Sequence, residues 1–376
     1  MKKEFEKEQN DNQIDDAFLD MPDMEDDEKF RQWLEKEYLK EADAIEEADS
    51  EAEAVEDEDN SPLIPEIDTD VEIQSGARIA VVSKSTKGEY WKQVKKGMED
   101  AVKAINDAYS FKKDDQITMT FEGPDNEEDV ESQINTIDAV LAENPDVLCI
   151  SAGDMDSCQA QLETAKENGI PVVAFDSNVS EKKLIKAYRG TDNFQVGKMA
   201  AYELGRSIGK VGRVAVFSAQ EKTKSVQDRV SGFLNNIGNY GDIEVVEIIY
   251  SDQVDDMKTA MQETLDKYPE LDGVFCTNAD ITEMYLDLEK SDEYDAPALV
   301  GVDATTKQQE AIRNGEELGT VSQQPYAMGY QTIWAAAETT APKKSVVIEK
   351  NVLSSPAWID ADSLDDPEYS SYLYTE

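Results

Sequence analysis

Two adjacent aromatic residues, Tyr90 and Trp91, follow an apolar run at Arg78–Ser83 and lead into a predicted helix that ends near Asn106. This places them in a strand-to-helix loop, where open α/β sheets present their ligands. The axial C–H faces of a sugar ring are apolar, and a flat aromatic ring can stack against them. The pair therefore indicates a sugar-binding platform. The alternative is a helix N-terminus that packs on the core.

Short polar side chains follow several other predicted strands, at the same edge of the sheet as the aromatic pair. Carboxylates accept hydrogen bonds, and amides both donate and accept them, which suits a ligand that carries many hydroxyl groups. We predict that this ligand is bound by Asp176, Asn278, Asp303 and Gln323 together with the aromatic pair. Further candidates at strand ends are Lys87, Ser177 and Asp252.

Other roles remain open for these residues. Asp, Asn and Ser at strand ends are favoured helix N-caps, each worth about 1 kcal/mol. Asp176 and Asp303 also have the residue types of an acid/base pair that hydrolyses glycosides.

Composition restricts the chemistry. The 376 residues include no histidine, which excludes Ser-His-Asp and Cys-His nucleophile arrangements and every His-ligated zinc site. Cys149, Cys158 and Cys276 show no CxxC spacing, so we expect buried free thiols. We predict no catalytic residue, no metal site and no cofactor.

The net charge of −47 argues against nucleic acid or an anionic membrane surface as a partner. Acidity is densest in residues 1–75, with 29 acidic and 7 basic residues. We predict that this leader is disordered or partly helical, with a weak amphipathic helix near Trp33. The sequence has no run of 18 apolar residues and no visible signal peptide. Either the protein is cytoplasmic, or the sequence as given lacks its export or anchor segment.

From Ala77 onwards, ten apolar runs alternate with nine helical segments, from a first strand at Arg78–Ser83 to a last helix at Met328–Thr339. Such alternation predicts βαβ units and parallel sheets. Ten strands are more than one lobe with a single sheet usually contains. The predicted fold class is therefore α/β, with two doubly wound parallel-sheet lobes.

Seven stretches between residue 77 and about residue 352 resemble the type I periplasmic sugar-binding proteins of ABC importers, in the ribose- and galactose-binding group. The ligand domains of lactose-repressor-type regulators are similar. The matching stretches are Ile79–Ser83 with Tyr90, Trp91 and Gly97; Asn168–Asp176; Gly190–Asn193 with Gly197; Asp228–Phe233; Asp272–Asn278; Val300–Asp303; and Ser322–Pro325.

The resemblance implies two lobes joined by three crossing segments, with the ligand trapped by hinge closure. It assigns stacking to Tyr90 and Trp91, and hydroxyl binding to Asp176, Asn278, Asp303 and Gln323. It places hinge residues at Thr191, Asp192 and Pro325.

Two positions depart from the family pattern. Ser177 stands where the family often has an arginine, and Gln227 stands where it has a ligand-binding arginine. We retain Gln227 as a ligand-binding candidate. Arg229 lies two residues further on, and we add it to the further candidates Lys87, Ser177 and Asp252.

The expected organisation is a leader at 1–75, a first lobe at 76–191 and 324–352, a second lobe at 192–323 and 353–360, and an acidic tail at 361–376. The predicted function is an extracytoplasmic, monomeric solute-binding protein, at the cell surface or in the periplasm, that delivers a small sugar or polyol to ABC permease subunits. Its leader would tether it to a lipid or membrane anchor, as in a lipoprotein. The alternatives are a receptor that feeds a membrane signalling partner, and a carboxylate-based enzyme.

Overall fold

The computed structural model describes residues 64–288, 296–342 and 347–375. These residues belong to one compact unit, Ser61–Glu376. Most of the predicted leader, including its amphipathic helix, lies outside the described residues. Its last part, residues 64–75, is described, and Val71 is buried in the apolar cluster of the first lobe, so assigning this part to the leader is wrong. Within the described part of the chain, no helix combines the length and apolar composition needed to cross a membrane.

The first lobe is built on a six-stranded sheet in which every strand pairs in parallel with its neighbours. The strands are β1 (Arg78–Val82), β2 (Thr118–Glu122), β3 (Val147–Ile150), β4 (Val172–Phe175), β5 (Ala187–Thr191) and β11 (Asn351–Ser354). Their order across the sheet is β11-β5-β4-β3-β1-β2. The central strands are short, apolar and buried, as expected for a parallel sheet covered on both faces.

The second lobe repeats this arrangement with six later strands. They are β6 (Val211–Ser218), β7 (Asp242–Tyr250), β8 (Gly273–Cys276), β9 (Ala298–Val302), β10 (Gly319–Ser322) and β12 (Ala357–Ile359), in the order β12-β10-β9-β8-β6-β7. All pairs are parallel except β12, which runs antiparallel to β10. The prediction of two doubly wound α/β lobes is therefore confirmed.

Helices cover both sheets. In the first lobe they are α1 (Gly88–Ala108), α2 (Val130–Ala142), α3 (Gln159–Glu167) and α9 (Pro325–Thr339). In the second lobe they are α4 (Asn193–Ser207), α5 (Lys224–Ile237), α6 (Met257–Lys267), α7 (Ala279–Leu286) and α8 (Thr306–Asn314). Because α1 begins at Gly88, Tyr90 and Trp91 lie in its first turn and not in the preceding loop, which corrects the sequence-based boundary.

The chain crosses between the lobes in three places: after Thr191, around Gln324, and between β11 and β12. The predicted hinge residues Thr191, Asp192 and Pro325 lie at the first two. The third crossing comes later than expected. Leu353 and Ser354 belong to the first lobe because they pair with β5, so assigning 353–360 entirely to the second lobe is wrong.

Cys149, Cys158 and Cys276 are free and buried, as predicted. Burial raises the pKa of all three thiols. They therefore pack as small apolar side chains.

Each lobe contains one pair of helices that approach closely at glycines. In the first lobe, a Cβ on Gly97 of α1 would overlap the carbonyl oxygen of Tyr326, and a Cβ on Gly329 of α9 would overlap that of Val94. In the second lobe, Gly197 of α4 and Gly232 of α5 make the same reciprocal approach. The absence of side chains at these positions lets the helix backbones touch.

We predict that Gly97→Ala lowers the free energy of unfolding by about 3 kcal/mol, because α1 and α9 must separate to admit the methyl group. Urea denaturation measures the change. Gly241→Ala is the matched control, since a Cβ there meets no neighbouring atom, and its effect should be near zero. Equal effects of the two substitutions would contradict the close packing of α1 on α9.

Candidate functional site

A cavity of about 300 Å³ lies between the carboxyl ends of the two sheets, and residues of both lobes line it. Most of the predicted ligand residues are among its walls. They are Tyr90, Trp91, Asp176, Asn278, Asp303 and Gln323. Two of the further candidates, Lys87 and Arg229, also line the cavity. The structure thus gathers residues that are more than 200 positions apart in the sequence around one space.

Three candidates lie outside the cavity walls. On α5, Val226 and Arg229 share the face towards the cavity because they are one helical turn apart, and Gln227 is rotated away from that face. The structure therefore brings Arg229, and not Gln227, to the cavity wall. Ser177 lies fully buried behind the wall, and Asp252 accepts a hydrogen bond of 3.0 Å from the backbone N–H of Glu221.

Two aspartates occupy equivalent places in the two lobes. Asp176 follows β4 with φ of 56°, and Asp303 follows β9 with φ of 78°. Each backbone N–H continues the sheet ladder, to the carbonyl of Arg189 and that of Val321 respectively. Left-handed backbone is costly for residues other than glycine, although Asp tolerates it better than most. The turn follows both strands and brings each carboxylate into the cavity wall.

The Asp176 carboxylate is buried within a set of donors. Its Oδ1 accepts a hydrogen bond of 2.7 Å from the Tyr90 hydroxyl, and its Oδ2 accepts one of 2.7 Å from Ser151 and one of 3.1 Å from Ser177. The Lys84 ammonium lies 3.1 Å from Oδ2. Burial by itself would raise the pKa of Asp176, but the Lys84 charge and these hydrogen bonds outweigh it and lower the pKa.

Lys84 is a site residue that the sequence reasoning missed. It is buried beside Asp176, and its ammonium also lies 3.5 Å from Glu127 and 5.7 Å from the Trp91 ring centroid. Burial by itself would lower the pKa of Lys84. The charges of Asp176 and Glu127 outweigh this effect, so the net pKa is raised and the ammonium stays charged. The sequence signal for Lys84 was its position directly after the first apolar strand. The prediction named Lys87, which lies three residues later and is exposed.

Glu127 also fixes the aromatic pair. Its Oε1 accepts a hydrogen bond of 2.7 Å from the Trp91 indole N–H. The Trp91 ring packs edge-on against Tyr90, with centroids 5.1 Å apart, and against Phe175. Both aromatics therefore belong to the first lobe's core and also line the cavity. Core packing is confirmed, and stacking on a sugar stays a prediction.

The second-lobe wall is held by helix ends and a buried arginine. Asn278 is the N-cap of α7, with its Oδ1 accepting from the Ile281 N–H at 3.0 Å. The capping alternative thus applies to Asn278, which also lines the cavity. Arg229 donates to Asn193 at 2.8 Å and to the carbonyl of Thr277 at 2.7 Å. These bonds fix the guanidinium in the wall.

Asp303 is surrounded by neutral donors. Its Oδ2 accepts from the Ala279 N–H at 3.0 Å, and its Oδ1 accepts from the Gln323 amide at 2.7 Å and from the Tyr374 hydroxyl at 3.0 Å. Tyr374 lies in the predicted acidic tail, to which the sequence reasoning gave no role. The available signal was three tyrosines and a leucine within residues 369–374.

The two lobes touch around the cavity. The Met155 N–H donates to the carbonyl of Lys222 at 3.0 Å, and the Thr223 hydroxyl donates to the carbonyl of Gly153 at 2.5 Å. On the other side, the Glu89 carboxylate accepts from the Thr306 N–H at 2.7 Å. The structure is therefore a closed arrangement of the lobes.

Asp280 is a cavity-lining carboxyl that retains access to solvent. The surrounding protein withdraws water from it and, together with the charges of Glu127, Glu283 and Asp303, raises its pKa to about 7. We therefore expect Asp280 to lose its proton nearer neutral pH than a free aspartate does. Among the residues that the structure describes, no cluster of acidic or cysteine side chains is arranged to hold a metal ion.

Comparisons with known proteins agree with this architecture. A family model described as a periplasmic binding protein domain matches residues 79–344. The ribose import binding protein of Bacillus subtilis is 25% identical over 224 residues, which are 58% of this chain and 71% of that protein. The xylitol-binding protein of Mycolicibacterium smegmatis is 22% identical over 228 residues, which are 60% of this chain and 62% of that protein.

A solved structure gives the same picture. An ABC transporter solute binding protein from Agrobacterium vitis, with bound D-fucose, covers 79% of this chain and 100% of its own. Its TM-score is 0.71 and its sequence identity is 25%.

We predict that Lys84→Met lowers the free energy of unfolding by about 3–5 kcal/mol, because it leaves Asp176 buried without its cation. Urea denaturation at neutral pH measures this. Lys87→Met is the matched control. Its ammonium is exposed and lies 3.3 Å from Asp125, so the loss should be below about 1 kcal/mol. Losses of similar size would contradict the charge-compensating role of Lys84.

A second prediction concerns pH. Because the pKa of Asp280 is raised on folding, its contribution to stability is present at low pH and is lost as the pH rises towards about 7. The melting temperature of Asp280→Asn should therefore rise relative to that of the unchanged protein between about pH 5 and about pH 8. Asp287→Asn is the control, since hydrogen bonding to Lys307 lowers the pKa of Asp287. A constant difference for Asp280→Asn would overturn the assignment.

Proposed function

The chain belongs to the periplasmic binding protein family, and we propose on this basis that it is a solute-binding protein for a small sugar or polyol. It is a binding protein rather than an enzyme, like the relatives named above. The observation that carries the proposal is the cavity between the lobes. Two aromatic rings of the first lobe and polar groups of both lobes share its walls.

The size and chemistry of the cavity favour a small polyhydroxylated ligand. Its volume of about 300 Å³ lies at the lower end of the range for small-molecule sites. The carboxylates of Asp176 and Asp303 accept hydrogen bonds, the Arg229 guanidinium donates them, and the amides of Asn278 and Gln323 do both. Relatives named for ribose and xylitol, and a neighbour with bound D-fucose, support this ligand class.

Ligand capture would use the three crossings between the lobes. In an open form, the walls of the cavity separate and the ligand enters. Contacts from both lobes then favour the closed form, so binding energy shifts the population towards closure. Thr191, Asp192 and Pro325 would absorb the hinge motion, because they lie where the chain leaves one lobe and enters the other.

The closed form is the state that an ABC permease would accept. We place the protein outside the cytoplasm, at the cell surface or in the periplasm, as a monomer. The part of the acidic leader that precedes residue 64 would serve as a tether to a lipid or membrane anchor. Uptake of the identified ligand by cells that lack this protein distinguishes delivery to an importer from a receptor role, since only delivery requires the protein for uptake.

Isothermal titration calorimetry with a panel of aldopentoses, aldohexoses and alditols tests the binding function. We expect at least one of them to bind with a dissociation constant of about 1 µM or tighter, typical of a site with several buried hydrogen bonds. Absence of heat with every member of the panel, while circular dichroism shows a folded protein, would refute the proposal.

Trp91 variants test the aromatic wall. Trp91→Leu should raise the dissociation constant at least about tenfold, because it removes the stacking surface. Trp91→Phe is the matched control. It retains a ring and loses the indole hydrogen bond to Glu127, so its effect should be smaller. Equal affinities of the Leu and Phe variants would show that the ring does not stack on the ligand.

A further inference from the structure

The C-terminal segment, residues 360–375, is anchored to the second lobe. It follows β12, and Leu364 packs against Ile312 and Ile359. The Tyr374 N–H donates to the carbonyl of Ala304 at 3.0 Å. Two side chains of the same lobe also donate to carbonyls of the segment. They are Ser322, to Tyr372 at 2.5 Å, and Gln309, to Tyr374 at 2.8 Å.

The tip of the same segment reaches the first lobe. The Tyr374 side chain is 1% exposed and joins the first lobe's apolar cluster, with its ring centroid 5.9 Å from that of Tyr90. Gln93 of α1 donates to the carbonyl oxygen of Thr375 and to its hydroxyl, both at 3.2 Å. The segment thus bridges the two lobes.

The two attachments differ in strength. On the second lobe, the segment has a main-chain hydrogen bond, two side-chain hydrogen bonds to its carbonyls and an apolar group. On the first lobe, the Tyr374 ring packs in the apolar cluster, and one amide side chain, that of Gln93, donates to Thr375. If the lobes separate, the weaker attachment breaks first. The segment would then travel with the second lobe, and the Tyr374 ring would leave the first lobe and become exposed to water.

We propose that the C-terminal segment is a strap that stabilises the closed form: Tyr374 is held on the second lobe beside Asp303, and its ring packs against Tyr90 of the first lobe only when the lobes meet. This inference rests on the proposed function, in which the ligand drives closure. Tyr374 is a positioning residue, because it lies behind two cavity-wall residues and not among the residues that line the cavity. It supports one residue of each wall: the Tyr90 ring by packing and the Asp303 carboxylate by a hydrogen bond.

Calorimetric titration of two variants tests the strap, with the tightest-binding sugar or polyol of the panel. Tyr374→Ala should raise the dissociation constant at least about tenfold, because closure no longer buries the ring. Tyr374→Phe keeps the ring and loses the donor to Asp303, so we expect a rise of about fivefold.

Tyr369→Phe is the matched control. Tyr369 lies in the same segment and packs with the apolar group of the second lobe, so the affinity should not change. Gln93→Leu removes the hydrogen bond from the Gln93 side-chain amide to Thr375. It should raise the dissociation constant, although the C-terminal segment itself is unchanged. Unchanged affinity in Tyr374→Ala, or equal effects of the two Tyr→Phe variants, would overturn the proposal.

Small-angle scattering of the unliganded protein separates this inference from the proposed function. Tyr374→Ala should have a larger radius of gyration than the unchanged protein, because fewer contacts hold the lobes together. This measurement needs no ligand, so it still tests the strap if no sugar or polyol binds. Identical radii for the two proteins would show that Tyr374 does not stabilise closure.

Discussion

Two buried carboxylates, one at the same strand end of each lobe, impose the constraint around which the cleft is built. Asp176 and Asp303 each take a left-handed backbone conformation and hold a carboxyl group among packed side chains. A buried carboxylate needs compensation, and the two lobes supply it differently. The first lobe uses a cation, Lys84, together with hydroxyl groups. The second lobe uses an amide, a backbone N–H at the start of α7 and a tyrosine hydroxyl. The aromatic wall bonds to Asp176 through Tyr90, and the C-terminal segment bonds to Asp303 through Tyr374.

The parts of the site that the sequence predicted are those determined by local pattern. Apolar runs that alternate with helical segments specify parallel strands, and polar residues after such strands must gather at one edge of the sheet. This reasoning found Asp176, Asn278 and Asp303. It chose Gln227 over Arg229 because position along a motif does not indicate helical phase, whereas the face of α5 that meets the cavity is set by packing against α4. Tyr374 was out of reach for another reason. Its position depends on how the C-terminal segment packs on a lobe that is formed by residues far away in the sequence.

The reciprocal glycine contacts bear on how the molecule moves. Each lobe has one closely packed helix pair, α1 with α9 in the first and α4 with α5 in the second. Neither pair spans the two lobes. Helix α9 starts directly after one crossing, and α4 starts directly after another. Two of the three crossings therefore lead directly into a helix whose backbone touches that of its neighbour, and tight packing makes such a helix stiff. Under the proposed hinge closure, motion at these two crossings would be confined to the few residues between strand and helix.

The rim of the cavity has a further consequence. One of its interlobe bonds joins the Met155 N–H to the carbonyl of Lys222, and such a bond depends on the path of the main chain rather than on which side chains stand there. This bond therefore stays in place when residues of the cavity wall are exchanged. Glu89 behaves differently, because it lines the cavity and also bonds to Thr306 of the other lobe. The contact between the lobes is thus partly, and not wholly, independent of the composition of the cavity.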